Sequence, residues 1–462
     1  MNKRRERFYV FPNLEPSKGK HKAQHFPSGL PPLAISNTIH YHIARDLALP
    51  GPIPVPASLM NGFNTIALLL LLSVVRVESS AIERGFNVIE FGAVGNGKAD
   101  DSQAFQKAWK AACGSTSKEN SSLLVPKGKT FLLKTAAFEG PCKVPSIKFQ
   151  VLGKIIAPGK RDFANGTRFW LVFNDVTGLT VAGGGDLDGS GPSWWNSTDK
   201  VLTLIGCNNL QVSNLRIKDA PRSHISVITC TNAIISDINI TTPGTIRNTD
   251  GIDISGSTTV KVQNSIIKTG DDCIAINTGC SHINITRVHC GPGHGISIGS
   301  LGRDRSRATV KEVHVVNCTF NGTQNAARIK TWQGGYGFAK KILFENITLV
   351  DSENPILINQ YYCSNKKDCA SRRCKNQTSA VEISDVSFIG FTGTSATKDA
   401  IRLLCSETVG CNRIVLDGIN IMASPSLGAE KDDKLSSQCV NAHGTSSGSN
   451  NPAVPCLLPN DQ

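Results

Sequence analysis

Aromatic residues make up only 6% of this 462-residue chain and methionine appears three times, while glycine appears 42 times. With dense β-branched residues beside that shortage, the composition favours a sheet-rich body with many tight turns over a helical bundle. Long apolar runs are also lacking. The run Ile66 to Val75 falls well short of the about 20 residues that a membrane span needs, which argues against a permanent anchor. No C-x-x-C doublet is joined by a second ligand pair, which argues against zinc, and no metal or cofactor is expected. Nor is there a compact Lys/Arg stripe with interleaved aromatics, and nucleic acid is therefore not the expected partner of a chain carrying +13.

What is present near the N-terminus reads as a secretory segment. Ile66 to Val75 follows Met60 and precedes the small polar stretch Ser79, Ser80, Ala81, the arrangement of a cleavable signal over residues 60–81. Residues 1–59 mix Arg4, Arg5, Lys18 and Lys20 with scattered prolines and no hydrophobic period. They are expected to be a disordered extension or an artefact of start-site choice, with Met60 the true start. They hold eight Lys/Arg against three Asp/Glu, so about +8 remains on the rest of the chain. A polyanionic polysaccharide would exploit that charge. All 15 cysteines follow the signal, from Cys113 to Cys456, which suits an oxidising compartment. Pairs close in sequence are the expected bridges: Cys273 with Cys290, Cys405 with Cys411, and Cys439 with Cys456. The triplets at Asn165, Asn346 and Asn376 permit glycosylation where exposed.

Residues 82–462 are expected to form one domain. Asp101 and Ser102 can cap a short helix whose Ala104, Phe105, Ala108, Trp109 and Ala112 share a face. Such a helix would shield the first coil of a stack. From about residue 208 an apolar-x-apolar-x-(Asn/Asp) pattern recurs at a loose spacing of about 23 to 39 residues. Each unit also carries a second alternating strand, such as Ile252-Asp253-Ile254, Ile274-Ala275-Ile276 and Ile296-Ser297-Ile298. Short strands separated by Gly, Asn and Asp turns predict an all-β fold, a single right-handed parallel β-helix with a short N-terminal capping helix. A leucine-rich horseshoe would demand fixed leucines and a more regular period. The recurring column Asn214, Asp237, Asn264, Asn317, Asn346 and Asp385 reads as structural turn chemistry.

Three polar groups interrupt the second strand in successive units: Asn248-Thr249-Asp250, Gly270-Asp271-Asp272 and Gly293-His294-Gly295. Asp250, Asp272 and His294 are equally spaced, each two residues before an isoleucine. Coils stack at about 4.8 Å, so these side chains should align. In the next unit Arg328 and Lys330, two apart, can join the same face. Carboxylates stacked so closely repel, and at least one should keep its proton to higher pH. A protonated and an ionised carboxyl side by side are the parts that glycoside hydrolysis requires. Turn chemistry would explain any one of these aspartates, though not the aligned set.

In that order, the segments Asn248-Thr249-Asp250-Gly251, Gly270-Asp271-Asp272-Cys273, Gly293-His294-Gly295-Ile296 and Arg328-Ile329-Lys330-Thr331 resemble the four motifs of the polygalacturonases, glycoside hydrolase family 28. Gly291 to Gly299 is similar to the plant branch, and the likeness runs from about Phe86 to Cys456. The resemblance implies that Asp271 is the general acid and that Asp250 and Asp272 activate water. It further implies that His294 supports the acid or the substrate and that Arg328 and Lys330 grip a galacturonate carboxylate, with Asn248 and Tyr362 (in Gln360-Tyr361-Tyr362) at the substrate. One departure is the short stretch Asn196 to Val201 after Trp194-Trp195, which touches one groove wall but no motif.

The expectation is therefore a secreted, cell-wall, monomeric hydrolase of polygalacturonan, cutting inside the chain with inversion at the anomeric carbon. Inversion would need Asp271 to diverge from its neighbours far enough to admit a water. Exo cleavage, rhamnogalacturonan hydrolysis and a catalytically dead wall-binding protein are the alternatives. The Arg328/Lys330 clamp favours polygalacturonan over rhamnogalacturonan, and the intact aspartates argue against an inactive protein.

Overall fold

A computed structural model describes residues 84–462, apart from 117–118, 160–168, 194, 196–199, 364–376, 428–433 and 461–462. The expectations for residues 1–59, the signal at 60–81, Asn165, Asn376 and most of the short stretch after Trp195 lie outside the described residues.

The alternation of β-branched residues produces what it predicts, an all-β parallel β-helix. One face is an eleven-stranded sheet in which every strand pairs with the strand of the next coil. In chain order its members are β1 (Ala136–Glu139), β2 (Phe169–Asn174), β3 (Lys200–Ile205), β4 (Ile225–Ile228), β5 (Ile252–Ser255), β6 (Ile274–Ile276), β7 (Ile296–Leu301), β8 (Asn325–Thr331), β9 (Asn354–Asn359), β10 (Asp399–Leu404) and β11 (Ser436–Val440). All these pairings are parallel, and Ile225, Ile252, Ile274, Ile296, Ala327 and Ile356 stack in one interior column. Those side chains are fully buried. The residues between them face outward, which makes this sheet the floor of a groove.

The other strands form a second, nineteen-stranded set. Its long members, such as Asn208–Lys218 and Thr258–Lys268, turn a corner in mid-strand. The predicted column sits at that corner: Asn214, Asp237, Asn264, Asn317, Asn346 and Asp385 all have φ between 50° and 57°. Asn and Asp tolerate this left-handed conformation better than other non-glycine residues, which is why the column is theirs. Arg287 and Arg413 take the same conformation in their coils, and each holds a column residue of a neighbouring coil, Asn264 and Asp385 respectively.

The capping helix α1 spans Ser102–Cys113 and buries Ala104, Phe105, Ala108, Trp109 and Ala112. Trp109 packs edge-on against Phe138 and Phe173, and its indole N–H donates to the Glu139 carbonyl at 3.0 Å. The expected side-chain cap by Asp101 is not made. Its carboxylate accepts instead from the Val94 and Gly95 amides at 2.7 and 3.1 Å, because the preceding turn presents two N–H groups that lack another partner. The three anticipated disulfides are present, and Cys113–Cys142 ties the end of α1 to the chain beyond β1. Among the described residues no helix is long and apolar enough to cross a membrane.

Candidate active site

The register that stacks Ile252, Ile274 and Ile296 also sets Asp250, Asp272 and His294 level with one another at the entrance to β5, β6 and β7. Gly270 lets the chain pass there. A Cβ at that position would lie 2.0 Å from the Ile246 carbonyl oxygen, so only glycine fits immediately before Asp271. Cys273 is bonded to Cys290, which pins the same turn.

The two adjacent aspartates face different partners. Asp271 is partly exposed, its Oδ1 2.9 Å from His294 Nδ1 and its Oδ2 3.0 Å from the Asn248 amide, which donates to it. Asp272 is buried. Its Oδ1 accepts from Ser297 Oγ at 2.8 Å and from the Arg328 guanidinium, and its Oδ2 accepts from Lys330 Nζ at 2.6 Å. Ser297 in turn accepts from Arg328 Nε at 2.8 Å. Arg328 and Lys330 are themselves more than nine-tenths buried. Such a cluster withstands burial only because each charge meets an opposite charge and a hydrogen bond.

Electrostatics separate the three carboxyls. Burial, together with the negative charge of Asp253, Asp271 and Asp272, holds Asp250 well above the usual carboxylate range, although Lys330 opposes this. Burial also works against ionisation of Asp272, but Arg328 and Lys330 overcome it and keep its pKa low. Burial is outweighed at Asp271 too, by the hydrogen bond and charge of His294, then by Lys330 and the Asn248 amide. These shifts favour the protonated form of Asp250 and the ionised forms of Asp271 and Asp272. Atoms of Asp271, Asp272 and His294 lie within 4.8 Å of one another. A metal could use such a donor set in principle, yet both oxygens of Asp272 are already taken by Ser297, Arg328 and Lys330.

The sequence profile of glycosyl hydrolases family 28 matches residues 113–450. The chain belongs to that family. A probable polygalacturonase of Arabidopsis thaliana is 46% identical over 363 residues, 78% of each protein. A polygalacturonase of Cryptomeria japonica is 42% identical over 391 residues, 81% of this chain and 73% of its own length. An endo-xylogalacturonan hydrolase of Aspergillus tubingensis superposes with a TM-score of 0.66 at 24% identity, covering 78% of this chain and 98% of that one, and so shares the fold.

Within this family 28 glycoside hydrolase, Asn248, Asp250, Asp271, Asp272, His294, Arg328, Lys330 and Tyr362 lie on or beside the groove floor. Tyr362 packs edge-on against Trp332 at 5.4 Å, and Lys330 Nζ lies 5.4 Å from the centre of its ring. Asn248 reaches Asp271 through its backbone amide and itself has φ of 60°. One oxygen of Asp271 and one of Asp272 lie within 4.8 Å of each other, the closest approach of two carboxyls that otherwise face different partners. Sequence reasoning also missed several participants. Ser297 bridges Asp272 and Arg328, and Asp253 pairs with Lys200 at 3.3 Å. His224 lies buried against the Asp250 carbonyl at 2.9 Å, its pKa pushed down to about 4 by burial. The signal was available for Ser297 and Asp253, since both occupy the outward middle position of an Ile-x-Ile strand.

Proposed function

We propose that this enzyme hydrolyses α-1,4-galacturonosyl bonds inside polygalacturonan chains, with inversion at the anomeric carbon. The supporting observation is the stacked set of Asp250, Asp271 and Asp272 with Arg328 and Lys330 in a chain whose relatives are named polygalacturonases. A groove holding cations beside acids suits a polyanionic substrate. It also fits an extracellular wall enzyme, as do four disulfides among the described residues.

In this mechanism the three aspartates titrate as a coupled set that shares a proton. A bound uronate brings negative charge and displaces water, both of which raise the pKa of the partly exposed Asp271. The proton then resides on Asp271, which delivers it to the leaving oxygen. His294, 2.9 Å away, steadies the carboxyl that receives and releases it. Asp250, relieved of its proton, and Asp272, whose Oδ2 accepts from Lys330 alone and keeps a second lone pair, orient the attacking water. Asp272 is a poor nucleophile because its oxygens are occupied by Ser297, Arg328 and Lys330, which speaks against a covalent glycosyl-enzyme and for direct displacement. Lys330, beside Tyr362, lies close enough to the groove to meet a substrate carboxylate while holding Asp272.

The decisive measurement follows the purified protein on polygalacturonic acid and on rhamnogalacturonan. The expected result is reducing ends released from the former, a steep early loss of viscosity, and β-anomeric product in proton NMR before mutarotation. Failure to release reducing ends would refute the activity, and an initial α-anomer would refute inversion.

A further inference from the structure

The outward row of the groove sheet continues past the catalytic turn. By register Ser297 pairs with Arg328, Arg328 with Leu357 and Leu357 with Arg402. Arg402 thus lies in the row of Arg328, two strands further on, roughly 10 Å along the stack. Its situation differs from that of Arg328. Arg328 is spent on Asp272 and Ser297, whereas no hydrogen bond or ion pair engages the Arg402 guanidinium among the described residues. Its Nε is buried and has no acceptor, while the residue as a whole is half-buried.

We propose that Arg402 binds the carboxylate of a second uronate of the polysaccharide, remote from the bond being broken. This rests on the function proposed above and names a specificity determinant for it. The terminal nitrogens are not buried as Nε is, and they can donate to both oxygens of a carboxylate in charge-assisted, bidentate fashion. Between the two arginines the row is filled by the apolar Leu357, 8% exposed, which adds no competing charge. Lys330 and Arg402 would together require ionised uronates at two places along the chain. The enzyme would then read the density of free carboxylates rather than the charge of one sugar.

The test compares the unmutated enzyme with Arg402→Gln on a ladder of galacturonate oligomers from dimer to hexamer, in free-acid and methyl-esterified forms. The side chain has no partner to lose, so the variant should fold, and Arg402→Lys serves as a second probe that keeps charge without the bidentate fork. The unmutated enzyme should gain kcat/KM at the length that first reaches Arg402. Arg402→Gln should lack that gain by about tenfold or more, mainly through KM, and Arg402→Lys should recover part of it. Arg402→Gln should also discriminate less between free-acid and methyl-esterified oligomers. An unchanged length profile in both variants, with the unmutated enzyme active, overturns this inference alone. An unmutated enzyme that leaves polygalacturonan intact overturns the proposed function and this inference with it.

Discussion

Replacing Lys330 with methionine would keep most of the side-chain volume and delete one charge, and the consequences can be worked from the groove floor. Lys330 Nζ donates to Asp272 Oδ2 at 2.6 Å, with the two side chains only 8% and 2% exposed. Removing one partner of a buried pair typically costs about 3–5 kcal/mol, because the other charge is left without compensation. Arg328 and Ser297 still hold Oδ1, so the lower end, about 3 kcal/mol, is expected near neutral pH. In the parent enzyme the low pKa of Asp272 contributes stability that is present above the unfolded value and lost as pH falls through the folded one. Lys330→Met loses part of that contribution, so the difference between the two proteins should be largest near neutral pH and shrink toward acid as Asp272 is protonated in both. Calorimetry across a pH series checks this, with a Tm several degrees lower at neutral pH as the expected sign. Because Asp272 is disturbed as well as the substrate contact, kcat should fall along with a rise in KM. Equal Tm values, a gap that does not depend on pH, or a change in KM alone would refute the reasoning.

Two further variants probe the carboxyls separately. Asp271→Asn should lower kcat by at least about two orders of magnitude with little change in substrate binding, as for loss of a positioned acid; near-normal turnover would remove it from that role. Asp250→Asn should abolish activity yet stabilise the fold near neutral pH. The raised pKa of Asp250 means that the folded state holds a proton which the unfolded state releases, so its ionisation destabilises as pH rises from the unfolded value toward the folded one. Each pKa unit of upward displacement corresponds to about 1.4 kcal/mol. Denaturation at pH 3 should show no such gain, and a stabilisation that persists there would contradict the assignment.

The sequence alone determined the solenoid and its register. Alternating apolar residues state which side chains face inward, and the equal spacing of Asp250, Asp272 and His294 before Ile252, Ile274 and Ile296 states which positions lie level. Both follow from backbone geometry with a period of two, so they can be read along the chain. The corner column was legible for a similar reason, since Asn and Asp tolerate the left-handed conformation that the corner requires. Bridges between cysteines close in sequence were legible because short loops bring them together.

What only the tertiary structure decided are the choices of partner. Arg328 and Lys330, expected at a substrate carboxylate, also reach across two coils to Asp272, a partner that the sequence did not announce. Asp101 was expected to cap α1, yet it turns to the amides of Val94 and Gly95. Asp250 rather than Asp271 has the raised pKa, a result of burial and of acidic neighbours drawn from two coils. Arg402, unremarkable in the sequence, stands in the row of Arg328 without a partner among the described residues. Long side chains can reach several acceptors from one backbone position, and the cost of a charge depends on how much water the fold removes around it. Neither quantity is carried by spacing along the chain, so both had to wait for the packed coils.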